Sequence, residues 1–307
     1  MLNLNIKISK FSNLYSFVSD LSQWGDYKYF EYRKKEWIRK TGKLSKKENN
    51  LLLRFKNIQE KSNEHIELFF IFEKESEIKK KLKHVLSRED LGCIFYILSC
   101  FENRFNVIWE NIEKKLLWTK ERIEKKNIDP VIVDIFSLCD INKKDRLKVD
   151  INLLISGFSD LHGWVSGSDI AMECSGWRKK DINELINTIM PHEFFHILIS
   201  KNKKIKKEIS MMVTKEKERI NNVNKNFGLS NQMFLEELVL SSFIPEGYLL
   251  EKYSKININK NYKDNINSKD KLRVLRLYIA DKMRDVAKEY VEDNKVIDKN
   301  YIEKIIK

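Results

Sequence analysis

The segment TIMPHEFFHILIS, residues 188–200, sets two histidines and a glutamate into an apolar run. On a helix, His192 and His196 lie one turn apart on one face, so both imidazoles reach a single point. Glu193 lies about 100° round the helix axis from His192, beside that point. Catalytic zinc takes neutral imidazole ligands at about 2 Å and keeps a position for a water that a neighbouring carboxylate deprotonates. The spacing therefore predicts a zinc site with His192 and His196 as metal ligands and Glu193 as the catalytic base.

The residues around this HExxH pattern argue against a chance occurrence. Nearly all of them are apolar, so the helix is predicted to be buried on most sides. Burying two imidazoles and a carboxylate without partners would cost roughly several kcal/mol, which a bound metal would offset. Pro191 removes one backbone hydrogen bond and clashes with the preceding turn, which predicts a kink or a restart just before His192.

A third metal ligand has to come from elsewhere in the chain. The extended pattern HExxHxxGxxH is excluded, because Ile199 and Asn202 stand where it requires glycine and histidine. A glutamate from a later helix is a common third ligand, and the next long apolar segment offers Glu236, Glu237 and Glu246. The residues alone leave all three glutamates open.

With HExxH and a downstream glutamate, residues 145–250 resemble the gluzincins, the thermolysin-like zinc metallopeptidases. In that family the liganding glutamate is often followed four residues later by a polar side chain that braces a zinc histidine. Only Glu237 has such a residue, Ser241, so the resemblance favours Glu237 as the third ligand. The sequence PEGYL also looks like the Glu-Gly ligand pattern of some aminopeptidases, so Glu246 stays open, and so does Glu236.

The resemblance implies an enzyme, a zinc metallopeptidase and therefore a hydrolase, with Zn²⁺ as cofactor and a peptide or protein as substrate. Zinc would activate a water and polarise the scissile carbonyl, and Glu193 would pass the water proton to the leaving amine. Candidates for stabilising the oxyanion are Tyr248, Arg273 and Arg276. The alternative is a non-catalytic basic helical protein with a structural metal site, which binds nucleic acid.

The elements that must position these residues are mostly helices. Ser45 and Glu48 form a capping box ahead of one apolar periodic run. Residues 87–126 have apolar side chains at helical spacing, with a break predicted near Asn103. A long amphipathic helix over residues 268–294 is predicted to close the core.

A small sheet is predicted directly before the HExxH helix. Alternating and apolar residues predict one strand over 146–156, and the glycine-rich stretch that follows contains a second strand over 163–174. By resemblance, the second strand would be the edge strand that pairs with an extended peptide. The predicted fold class is α+β, mainly helical with a small mixed sheet and thermolysin-like active-site helices. We divide the chain into a mainly helical N-terminal region, 1–125, and a gluzincin-like zinc metallopeptidase domain, 126–307.

Composition limits the location and the partners. The chain has 307 residues and is 42% hydrophobic, which suits an ordinary globular protein. It has four cysteines without a CxxC pair, no secretory signal and no apolar stretch that could span a bilayer, so we predict a cytoplasmic protein without disulfides or membrane contact. The net charge of +13 comes from lysines interleaved with acids, which predicts a solvated basic surface and does not favour a nucleic acid partner.

Overall fold

The structure is a computed structural model, and it describes residues 2–24, 30–62, 66–126, 128–142, 147–155, 162–174, 183–255, 257–265, 267–268 and 270–307. Most of these residues are helical and a four-stranded mixed sheet accompanies them, so the predicted α+β class is confirmed. The strands are β1 Leu2–Lys7, β2 Leu147–Ile155, β3 His162–Ser166 and β4 Asp169–Cys174. The helices before the HExxH motif are α1 Lys10–Ser22, α2 Phe30–Thr41, α3 Lys46–Lys61, α4 Glu67–Phe72, α5 Glu75–Leu82, α6 Arg88–Lys125 and α7 Asp129–Leu138. The later helices are α8 Met190–Lys201, α9 Lys203–Lys215, α10 Lys217–Asn224, α11 Asn231–Ser241, α12 Tyr248–Ser254, α13 Ile258–Asn265, α14 Lys271–Glu292 and α15 Lys299–Ile306.

Contacts divide the chain into two compact units, and each unit is built from separate stretches of sequence. The first unit comprises Met1–Asn3, Asn127–Leu147 and Glu184–Lys307, and the second comprises Leu4–Lys126 and Lys148–Asn183. This division differs from the predicted regions 1–125 and 126–307, because most of the sheet groups with the N-terminal helices. The HExxH helix and the three candidate glutamates all lie in the first unit.

The sheet has the strand order β1-β2-β4-β3. β2 and β4 run parallel, with Asp150 opposite Asp169 and Ile155 opposite Cys174. From Ile151 to its end β2 is buried on both faces, and apart from Asn152 its residues there are apolar, as is typical of a strand of a parallel pair. β3 runs antiparallel to β4 and forms an edge of this sheet.

The prediction of one strand over residues 163–174 is wrong. The chain reverses after Ser166 and returns from Asp169, and these two residues pair across the resulting hairpin. Gly167 has a φ of +63° in this turn. Two-residue hairpin loops require positive φ, which glycine adopts without a steric penalty, so this glycine ends the first strand.

Helix starts follow the predicted capping chemistry, whereas one predicted break is absent. The capping box of α3 is confirmed, because Ser45 Oγ accepts from the amide of Glu48 and the Glu48 carboxylate accepts from the amide of Ser45.

α6 continues through Asn103 without interruption. Asn103 is exposed to solvent, while Phe101 and Phe105 are buried on the opposite side of the helix and pack it against the interior. In the part of the chain that the structure describes, no helix is long and apolar enough to cross a membrane.

Candidate metal centre

The helix that holds the HExxH motif is entered through a π-helical turn. This turn spans Leu185–Ile189, and the amide of Met190 donates to the carbonyl of Leu185, five residues earlier. Pro191 has no amide proton to continue the ladder, so the hydrogen-bonding pattern changes at this point and α8 begins. The restart that Pro191 predicts just before His192 is therefore confirmed, as a change from π-helical to α-helical hydrogen bonding at Met190.

Helix α8 is buried on most sides, as the sequence predicts. Among the motif residues, His192 is 6% exposed and Glu193 is 7% exposed, and His196 is only partly exposed. The neighbouring apolar side chains fill the interior of the first unit, and the buried ones are Met190, Pro191, Phe194, Phe195, Ile197, Leu198 and Ile199. The polar groups of the motif consequently meet in an environment with little water.

Two imidazoles and one carboxylate converge between α8 and α11. The Nε2 atoms of His192 and His196 are 3.2 Å apart. Glu237 places Oε1 3.1 Å from Nε2 of His196 and Oε2 3.6 Å from Nε2 of His192. Within the described ranges, these three residues form the group whose donor atoms could hold a metal ion. The structure thus brings together the two predicted histidines and the favoured glutamate.

The outer nitrogens of both histidines are held by acceptors. Nδ1 of His192 lies 3.1 Å from the carbonyl oxygen of Ile244, and Nδ1 of His196 lies 2.7 Å from Oε1 of Glu236. Because a carbonyl and a carboxylate only accept, each Nδ1 atom donates to its partner, and each Nε2 atom would present its lone pair to a metal when one is bound. The two Nε2 atoms face one another and the carboxylate of Glu237.

This donor arrangement fits a zinc ion. Four ligands at about 2.0–2.1 Å in a tetrahedron lie about 3.3 Å from one another. The two Nε2 atoms are 3.2 Å apart, and the Glu237 carboxylate has Oε1 3.1 Å from Nε2 of His196 and Oε2 3.6 Å from Nε2 of His192, which is close to that value. Two histidines with one glutamate are a known donor set for catalytic zinc. Oε2 of Glu237 is buried and has no hydrogen-bond partner among the described residues. A cation between the three donors would satisfy all of them.

The charges of the cluster favour positive charge at its centre. Burial disfavours protonation of His196, but hydrogen bonds to Glu236 and Glu237 outweigh it and raise the pKa of His196 to about 10. The charge of Glu193 adds to this effect. Burial likewise raises the pKa of Glu237, but the two histidines outweigh burial and hold that pKa well below its usual range. The cluster therefore favours positive charge among its members, which a proton on His196 or a bound cation would supply.

The chain was compared with models of known protein families, with curated proteins and with solved structures. Nothing matches. The resemblance to the gluzincins stays a prediction that rests on the residues of this centre.

The predicted brace at Ser241 is wrong. Its hydroxyl is buried and has no hydrogen-bond partner among the described residues. Glu236 holds His196 instead, because consecutive residues on α11 point about 100° apart and so reach different nitrogens of the same imidazole. The adjacent pair Glu236-Glu237 is the sequence signal that could have indicated this. The carbonyl of Ile244 carries no such signal, because every residue has a backbone carbonyl.

The other candidates have partners of their own. Glu246 is paired with Arg276, with Nη2 3.0 Å from Oε1. The hydroxyl of Tyr248 donates to Glu292 at 2.9 Å. Arg273 is exposed near the start of α14. Of the three proposed oxyanion donors, Arg276 is the one that the structure brings next to Glu237, at 3.5 Å.

A tight loop over residues 242–247, the support loop, joins α11 to α12 and carries the carbonyl that holds His192. The amide of Tyr248 donates to the carbonyl of Ser242 at 3.2 Å, and the amide of Leu249 donates to the carbonyl of Phe243 at 2.9 Å. These bonds join the start of the loop to the first residues of α12. Gly247 closes the loop in close contact with Ser242: a Cβ atom at position 247 would lie 1.9 Å from the Ser242 carbonyl oxygen. The glycine of the Glu-Gly pair is therefore required by backbone packing.

We expect Gly247→Ala to destabilise the protein by about 3 kcal/mol, because overpacking against backbone cannot be relieved by a side-chain rotation. Displacement of the support loop would also weaken zinc binding through His192. Urea denaturation and zinc titration check both effects. Gly92→Ala is the matched control, since the added Cβ meets nothing within 4 Å on α6, and alanine should stabilise that helix by about 0.5–1 kcal/mol. Equal stability of the two variants would contradict the role of Gly247.

Proposed function

We propose that the protein is a zinc-dependent peptidase that hydrolyses peptide bonds with a metal-activated water and Glu193 as general base. The observation that carries the proposal is the convergence of the Nε2 atoms of two imidazoles with a carboxylate, at the helix that also carries Glu193, whose charge acts on His196. His192, His196 and Glu237 would hold the metal. These three residues leave a tetrahedral ion one further position, which suits a catalytic site and not a closed structural one.

The residues of this chain have separate tasks in the reaction. Bound zinc would lower the pKa of a water to about 7 and polarise the scissile carbonyl. Glu193 would accept a proton from the attacking water and deliver it to the leaving amine, a task that suits a carboxylate held in a buried site. Glu236 and the carbonyl of Ile244 fix the tautomer and orientation of the two histidines, so that their Nε2 atoms stay aimed at one point.

The proposal extends to the family, the substrate and the location. The HExxH helix, with a glutamate on a later helix, supports a gluzincin-type, thermolysin-like arrangement with a peptide or protein substrate. The four free cysteines support a cytoplasmic location, since oxidising compartments favour disulfides. The interleaved basic and acidic residues do not favour nucleic acid as a partner, and the alternative of a structural metal site becomes an outcome of the test.

The test is a digest of a broad peptide library by the purified protein. We expect about one zinc per chain and cleavage that stops when a chelator removes the metal and resumes when zinc is restored. Mass spectrometry of the products would give the cleavage sites. Bound zinc without cleavage would favour the structural metal site, and cleavage that persists without metal would exclude the proposed mechanism.

A further inference from the structure

A buried ion pair lies directly behind the third proposed ligand. Arg276 on α14 has a side chain that is 23% exposed, and Glu246 on the support loop has one that is 7% exposed. Nη2 of Arg276 lies 3.0 Å from Oε1 of Glu246. Removing two opposite charges from water is costly, and apolar residues in the place of such a pair often stabilise a protein as well or better. A contribution to stability therefore does not explain the pair.

The second arm of the guanidinium points at the metal centre. Nη1 of Arg276 lies 3.5 Å from Oε2 of Glu237, whereas Oε1 of Glu237 lies 3.1 Å from Nε2 of His196. Both oxygens thus face a histidine, and Oε2, which lies 3.6 Å from Nε2 of His192, is the oxygen that Arg276 also contacts. If the carboxylate of Glu237 rotated about its Cγ–Cδ bond, Oε2 would move away from the guanidinium of Arg276. In buried surroundings this loss of electrostatic attraction is unfavourable.

We infer that Arg276, held in place by Glu246, is a positioning residue that fixes the carboxylate of Glu237 so that one oxygen faces the metal. The inference rests on the metal centre of the proposed function. It assigns Glu246 to the support of the ligand and not to the metal itself. The planar fork of arginine suits this role, because its two Nη groups reach two carboxylates at once, whereas a lysine ammonium is a single point of charge.

The test compares two paired substitutions, each of which removes one arginine of α14 together with its carboxylate partner. Arg276→Met with Glu246→Leu removes both charges together, so that no buried charge is left alone. The control is Arg284→Met with Glu251→Leu, which removes another ion pair of α14, where Nη2 lies 2.7 Å from Oε1. Zinc affinity is measured by competition with a chromophoric chelator. The geometry of the centre is measured from the visible absorption of bound Co²⁺, which depends on its ligands.

We expect the Arg276/Glu246 variant to lose zinc affinity by about 10- to 100-fold and to change the Co²⁺ spectrum, as residues that orient a ligand typically do. The control should bind both metals as the wild type does. Arg276→Lys keeps a charge opposite Glu246 and so protects the fold, and it should shift affinity and spectrum in the same direction. This variant decides the matter if the paired variant does not fold.

Unchanged affinity and spectrum in the folded Arg276 variants would overturn the inference while leaving the metal centre in place. Equal losses in the control pair would also overturn it, because they would show a general response to charge removal on α14. A wild-type protein that binds neither Zn²⁺ nor Co²⁺ would overturn the proposed metal centre itself, and the positioning role with it.

Discussion

Glu193→Gln is expected to abolish peptide hydrolysis while the protein keeps its zinc and its fold. The amide has nearly the shape of the carboxylate but cannot accept a proton from the water. Removal of a positioned general base typically lowers the rate by about 10² to 10⁴. The variant and the wild type would be compared for kcat on one cleaved peptide, for zinc content and for thermal unfolding. Because Glu193 is not among the three converging donors, metal binding should be unchanged.

A matched control separates this effect from a general change of charge. Glu184→Gln makes the same replacement at an exposed position that precedes the π-helical turn of the same segment, and its kcat should equal that of the wild type. Equal rates for Glu193→Gln and the wild type would exclude Glu193 as the base. Loss of zinc in Glu193→Gln would instead make this glutamate part of the metal binding site.

Removal of the proposed metal ligands is expected to have the second large effect. His192→Ala, His196→Ala and Glu237→Ala should each lose essentially all zinc, because a site with three protein ligands binds zinc only weakly when one of them is removed. Glu236→Ala should keep zinc but with an affinity about 10- to 100-fold lower, because only the orientation of His196 is affected. Zinc content after gel filtration and competition with a chelator distinguish total loss from weakening.

The same series has an outcome that would remove the site. Full zinc occupancy in both histidine variants would mean that the converging imidazoles do not bind the metal. Zinc loss caused by Glu246→Ala but not by Glu237→Ala would identify Glu246 as the third ligand. That result would contradict the assignment of Glu246 as the ion-pair partner of Arg276.

The parts of the site that could be predicted from the sequence are those fixed by helix geometry. His192 and His196 share a face because they are four residues apart, whatever the rest of the chain does. The residues that hold them are distant in sequence: the carbonyl of Ile244 is 52 residues from His192, and Glu236 is 40 residues from His196. Such partners depend on how helices pack, and local spacing does not determine packing.

The fold shows the same limit. The capping box at Ser45 is a local interaction and was predictable, whereas the hairpin at Gly167 was not. Apolar residues on both sides of that glycine are typical of one long strand and of two short strands alike, and only pairing in the sheet decides between them. The polar residue Asn103 suggests a break, but Phe101 and Phe105, two residues before and after it in the sequence, are buried and the helix is continuous.

The assembly of the first unit from separate stretches has a consequence for its order of folding during synthesis. The hydroxyl of Tyr253 on α12 donates to Asp134 on α7 at 2.8 Å, across 119 residues of chain. At about 5–20 residues per second, a ribosome needs roughly 6–24 s to extend the chain from one partner to the other. During that interval the apolar face of α7 lacks the helices that it will pack against. Ile297, whose amide donates to the carbonyl of Leu138 at the end of α7, is synthesised later still. The unit that contains the candidate metal centre therefore closes only after α12 and α14 have been synthesised, and α7 stays accessible to chaperones throughout that interval.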